Sequence, residues 1–261
     1  MIFFGYIFIM IDLIDETGQD LSCYGYETQK LSKYGATCSR LVVDSDEKSK
    51  SLGFDKGHYF ILNAPLLSLM MEEHEEMLKD EILKRLQFLF KENKIKKKDK
   101  ILLVGIGNPE IVADCFGVWT VGKVEIFPYK KNNRLFKLVP NTFSNTGFNA
   151  YDIIRLVVEA FDISAVVLFD SLATTNIKRL GCSIQFNDAG LTPGSAMNNF
   201  GKAINKDTLN VPCIAVGVPM MISSNDLGRE IKNEIIFTEK DVKEKINFLS
   251  KVMAQVIDEL V

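Results

Sequence analysis

Histidine is nearly missing from this chain: 261 residues contain two, His58 and His74. Neither stands beside the glycine loop at 105–107, which disfavours a Ser-His or Cys-His triad. The GxSxG elbow, the HExxH helix and the Walker loop are all absent. Gly105-x-Gly107 opens like a dinucleotide fingerprint, but Glu110 stands where the third glycine belongs. The five cysteines are scattered at 23, 38, 115, 182 and 213, without a CxxC pair. That pattern argues against a disulfide framework or a zinc site and for a reducing cytoplasm. Cys115 reads as a small buried residue rather than a nucleophile. A basic excess is also missing. Thirty-one basic residues face 34 acidic ones, for a formal charge of −3, so nucleic acid is not a direct partner. The one basic run, KIKKKDK at 94–100, reads as a solvated connection.

Long apolar runs are lacking as well. The first ten residues, MIFFGYIFIM, are the most apolar stretch, yet a bilayer span needs about 20. They carry no basic start or small-residue cleavage site of a signal peptide. They read as a buried strand, a short removable pro-segment, or sequence upstream of a true start at Met10. Residues 1–10 are therefore set apart from a single α/β domain over 11–261. No membrane partner is expected.

What is present is an alternation of strands and helices. Short strands are predicted at 38–47, 58–64, 101–106, 163–169, 182–186 and 212–218. Between Glu72 and Glu92, Leu78, Ile82, Leu83, Leu86, Leu89 and Phe90 share one helical face. A short helix is expected near Cys115–Val121. Another carries Tyr151, Ile154, Val157, Val158 and Phe161 on its buried face. The last helix places Val242, Ile246, Leu249, Met253, Val256 and Leu260 in one stripe. Thr238 with Asp241 resembles a capping box at its start. Residues 122–145 give no clear pattern beyond a turn at Asn132–Asn133. The expected architecture is α/β, a mostly parallel sheet with flanking helices.

The chemistry concentrates in carboxylates that follow apolar runs. LLVGIGNP at 102–109 leads to Asp114, and ISAVVLF at 163–169 runs into Asp170. Asp188 follows the strand at 182–186, within NDAGLTPGSAMNN. If those strands are parallel, all three acids gather at the carboxyl edge of one sheet, where α/β proteins place their sites. Paired carboxylates split general-base and general-acid roles when their pKa values are pushed apart. The backbones around Gly105, Gly107 and Asn108, and around Gly190, Gly194 and Ser195, are expected to offer N–H groups to an oxyanion. Each aspartate, on spacing alone, is equally readable as a helix cap or turn bond.

These residues resemble the germination protease family, endopeptidases that degrade small acid-soluble spore proteins. The resemblance rests on VGIGNPEIVADCFG, LFDSLATTNIKRLGCSIQFNDAGLTPGSAMNN, IAVGVPMMI and the HYFILNAP region, and runs from about Asp12 to the C-terminus. It implies a hydrogenase-maturation-protease-like α/β fold and an atypical aspartic-type protease. The family's two essential aspartates fall on Asp114 and Asp170. Asp188 and the glycine segments become substrate-binding elements. The resemblance further implies a zymogen, a homotetramer, no cofactor or metal, and the cytoplasm of the spore core. A processing cut would fall near Ile11–Leu13, consistent with a vestigial pro-segment. The family's Pro-Asp-Ala-Leu-Gly reads Ala-Asp-Cys-Phe-Gly at 113–117. Two alternatives remain open: a catalytically impaired homologue that binds or regulates, and a metal-assisted protease like those that mature hydrogenases.

Overall fold

Central strands are buried on both faces, which is why they read as unbroken apolar runs. Ile101 and Leu103 pack into the core on one side of the sheet, Leu102 and Val104 into the core on the other. The structure is a computed structural model that describes residues 12–31, 34–65, 72–126, 134–194, 201–224 and 235–261. The expected pro-segment at 1–10 lies outside them.

In chain order the strands and helices are β1 (Glu27–Lys30), β2 (Thr37–Val43), α1 (Asp46–Leu52), β3 (Gly57–Asn63), α2 (Glu72–Glu92) and β4 (Ile101–Gly105). Then come α3 (Phe116–Lys123), β5 (Leu135–Leu138), α4 (Phe143–Thr146), α5 (Ala150–Phe161) and β6 (Ala165–Ala173). The chain closes with β7 (Ser183–Asn187), α6 (Lys206–Leu209), β8 (Cys213–Ser223), β9 (Ile236–Phe237) and α7 (Val242–Leu260).

All the strands join one sheet in the order β1-β2-β3-β7-β8-β6-β4-β5, with β9 paired to β8. The run β5-β4-β6-β8 is parallel. The run β8-β7-β3-β2-β1 is antiparallel. Helices α2, α3 and α7 cover one face through Leu78, Ile82, Phe116, Ile246 and Leu249. Helix α5 covers the parallel half of the other face through Ile154 and Val158. A third cluster, with Ile14, Leu41, Tyr59 and Ile61, closes the antiparallel half. The fold is α/β.

Several expected details differ. Phe161 is 52% exposed, outside the predicted buried face of α5. It lies against Phe136 instead, with the rings tilted at 45° and their centroids 5.8 Å apart. The expected capping box does not form. Asp241 is the N-cap of α7 without a side-chain bond, and Thr238 Oγ1 donates to the Met220 carbonyl. Strands β6 and β8 continue past their predicted ends, to Ala173 and Ser223.

Candidate active site

Strand β4 ends at Gly105, in register with Phe169 of β6. Asp170 is therefore the first β6 residue beyond its parallel neighbour, at the carboxyl edge. On its other side Asp170 pairs with Gly217 of β8.

After β4 the chain folds back through a 3₁₀ turn, Val112–Asp114, and enters α3. Three glycines permit this. A Cβ on Gly105 would lie 2.5 Å from the Gly117 carbonyl oxygen, and one on Gly117 would lie 2.1 Å from the Phe169 oxygen. Helix α3 thus sits directly on the strand ends. Gly107 has φ +130°, and a Cβ there would stand 1.9 Å from the Asp114 carbonyl oxygen, a position closed to other residues. The Asn108 N–H then donates to Asp114 Oδ2 at 2.7 Å.

Asp114 and Asp170 line one cavity of about 570 Å³. Its wall also holds Asp12, Gly107, Asn108 and Ser171. Burial pushes Asp114 up to about 6, against the opposing pull of the Asn108 N–H. Asp170 is raised well above the ordinary carboxylate range. Burial is the main cause, and the negative charges of Asp114 and Asp12 add to it. The Ser171 N–H opposes the shift. Two acids in unequal surroundings in one cleft can supply a base and an acid.

Cys115 is buried. Its thiol lies within bonding distance of the Asn108, Pro109 and Ile111 carbonyl oxygens, nearest to Ile111 at 3.2 Å. Burial and the Asp114 charge push it upward, so it stays a thiol.

The other expected site residues separate. Gly107, Asn108 and Gly194 line the cavity. Gly105 does not, because α3 covers it. Gly190 packs against Ile204 and lies off the cavity wall. Ser195 lies outside the described residues. The Ile106 N–H donates to the Phe169 carbonyl and the Asn108 N–H to Asp114, so neither is left for an oxyanion.

Asp188 is not brought to this edge. β7 runs antiparallel to β8, so its carboxyl end lies at the amino edge of the parallel strands. There Asp188 Oδ1 accepts the His58 N–H at 2.6 Å. Its Oδ2 accepts from Asn93 Nδ2 at 2.8 Å and lies 3.0 Å from His58 Nδ1. It ties β3 to the end of α2.

Three parts of the wall escaped sequence reasoning. Asp12 is one. The second is the rim Asn141–Ser144 with Asn149, where Asn141 takes a positive φ of 66°. The third is apolar: Ile111, Phe143 and Ile236 line the cavity and remain exposed. Among the described residues, no group of three or more His, Cys, Asp or Glu side chains is placed to hold a metal ion. None of the described helices is long and apolar enough to cross a membrane.

The germination protease family matches this chain over residues 14–237. The germination protease of Oceanobacillus iheyensis is 31% identical over 198 residues, covering 70% of this chain and 53% of its own length. That of Geobacillus sp. is 29% identical over 198 residues, covering 70% and 52%. That of Clostridium acetobutylicum is 26% identical over 223 residues, covering 81% and 68%. The chain spans about half the length of the first two relatives. A [NiFe] hydrogenase maturation protease, HycI from Thermococcus kodakarensis KOD1, is 18% identical with a TM-score of 0.41, over 66% of this chain and 98% of that one.

Proposed function

Because this chain belongs to the germination protease family, we propose that it is an endopeptidase whose base and acid are Asp114 and Asp170. The observation that carries this reading is the pair itself: two strand-edge aspartates in one cavity, both raised by burial, with Asp170 also facing the charges of Asp114 and Asp12.

In the proposed reaction, ionised Asp114 takes a proton from water as its oxygen bonds to the peptide carbonyl carbon. Protonated Asp170 hydrogen-bonds the carbonyl oxygen as it gains negative charge, and gives its one proton to the amide nitrogen as the carbonyl re-forms and the C–N bond breaks. The products are a carboxylic acid and an amine. Transfer of the proton from Asp114 back to Asp170, directly or through water, resets the pair. The N–H groups of Gly107 and Gly194, whose residues line the cavity, are the candidate oxyanion donors.

The proposed substrates are small acid-soluble spore proteins, degraded during germination. This rests on the family and on the motifs around the two acids. Removal of the first ten residues, assembly as a homotetramer and residence in the spore core belong to the same reading.

The test is incubation of the purified chain with a small acid-soluble spore protein, followed by mass spectrometry. Discrete fragments are expected. An intact substrate after exposure to folded protein, with and without residues 1–10, contradicts the reading and favours a non-catalytic relative.

A further inference from the structure

We propose that Asp12 is a third carboxylate of this site, a positioning residue that the strap Asp12–Glu16 seats against Asp170. The inference rests on the endopeptidase reading and assigns it a residue beyond the two family aspartates.

The strap is built into the sheet edge. Asp12 Oδ2 accepts the Ala173 N–H at 2.9 Å. Ala173 stands where the β6–β8 register slips, just past Leu172. The buried Gln185 amide holds the strap at two points. Its Nε2 donates to the Asp12 carbonyl at 2.9 Å, and its Oε1 accepts the Ile14 N–H at 3.0 Å. Leu13 and Ile14 are fully buried beside it.

The far end is clamped by charge. The Arg179 guanidinium forks onto both Asp15 carboxylate oxygens, at 2.5 and 2.6 Å. The Glu16 carboxylate accepts from Thr174 Oγ1, from the Thr175 N–H at 2.7 Å and from Thr175 Oγ1 at 2.9 Å. Fork geometry of this kind fixes orientation as well as position. Thr174, Thr175 and Arg179 all lie in the chain that leaves β6 after Asp170, while Tyr26 Oη donates to Asp15 Oδ2 at 2.9 Å from the other side. The strap and Asp170 are therefore held as one unit.

The result is that Asp12 lines the cavity with Asp114 and Asp170. The charged groups that face Asp170 are Asp114, from the loop after β4, and Asp12, from the strap. β8 contributes Gly217 and Met221, and the far wall Pro193, Gly194 and Gly201, none of which titrates. Both facing charges are negative, so they favour the neutral form of Asp170. Asp114 must ionise to act as base. Asp12 has no such duty in the reaction and adds its charge to the burial and the Asp114 charge that favour the neutral form of Asp170.

The experiment compares wild type with Asp12→Asn in two readouts. The first is ¹³C NMR titration of the Asp170 carboxyl, which needs no activity. The second is the pH–rate profile for peptide cleavage. The Asp170 midpoint and the alkaline limb are both expected to fall, by about one pH unit for removal of one facing charge. The acid limb, set by Asp114, stays in place. An unchanged Asp170 midpoint in folded Asp12→Asn overturns the inference. If that variant does not fold, Arg179→Gln keeps all three carboxylates and loosens the strap. A smaller fall in the same direction is expected, and no fall overturns the inference. Absence of cleavage by wild type would contradict the endopeptidase reading alone, because the NMR titration still reports whether Asp12 faces Asp170.

Discussion

The backbone N–H of Phe116 donates to Ser171 Oγ at 3.3 Å. Phe116 follows Asp114 by two residues, and Ser171 follows Asp170 by one. This single buried bond therefore joins the two segments that carry the acids, across the gap between α3 and β6. Ser171→Ala removes the acceptor and leaves a buried donor without a partner, at about 1–3 kcal/mol. Loss of alignment between the acids adds a fall in kcat of about 10- to 100-fold. Thermal unfolding and cleavage kinetics check the two parts separately. A lower Tm with unchanged kcat would show that the bond serves stability alone.

Asp170 holds its proton to a higher pH in the folded chain than in the unfolded one. Folding therefore takes up a proton above the unfolded carboxyl value of about 3.9. Wild-type stability falls as pH rises from there to the folded value, and then levels off. Asp170→Asn removes that dependence. The variant is expected to be more stable than wild type at pH 7, with the gain shrinking to nothing at about pH 4 and below. Chemical denaturation across pH measures this. A gain of equal size at pH 3.5 and pH 7 would contradict a raised carboxyl.

Asp188→Ala separates scaffold from site. The carboxylate bonds the His58 N–H and Asn93 Nδ2 and lies at the amino edge of the parallel strands. Its removal is expected to lower stability by about 1–3 kcal/mol. The kcat of the remaining folded protein should be unchanged. A large loss of kcat at full folding would return Asp188 to the site.

The central strands and long helices were legible because local sequence encodes them. β4 and β6 are buried on both faces, and their apolar runs allow no other reading. The stripes of α2 and α7 repeat at helical spacing, and Leu78, Ile82, Leu86 and Leu89 are all fully buried. The two acids that follow β4 and lie within β6 could be placed from those runs. β1 could not, since its four residues, Glu27–Lys30, are all exposed and carry no apolar signal.

Strand direction was hidden too. The residues of β7 are buried whichever way the strand runs, so nothing local told Asp188 from Asp170. Pairing with β3 and β8 decides it. Asp12 was out of reach for a related reason. Its partners Ala173 and Gln185 stand 161 and 173 residues away in sequence. Only the assembled sheet brings the strap to the cavity.

The most direct measurement is single-turnover cleavage by wild type, Asp114→Asn and Asp170→Asn, each confirmed folded. Loss of a general base or acid lowers the chemical step by about 10²- to 10⁴-fold, and both variants are expected to fall in that range. Substrate binding should be retained. Wild-type rates should also decline below about pH 6, where Asp114 gains its proton. Cleavage at the wild-type rate by either folded variant would contradict the division of labour between Asp114 and Asp170.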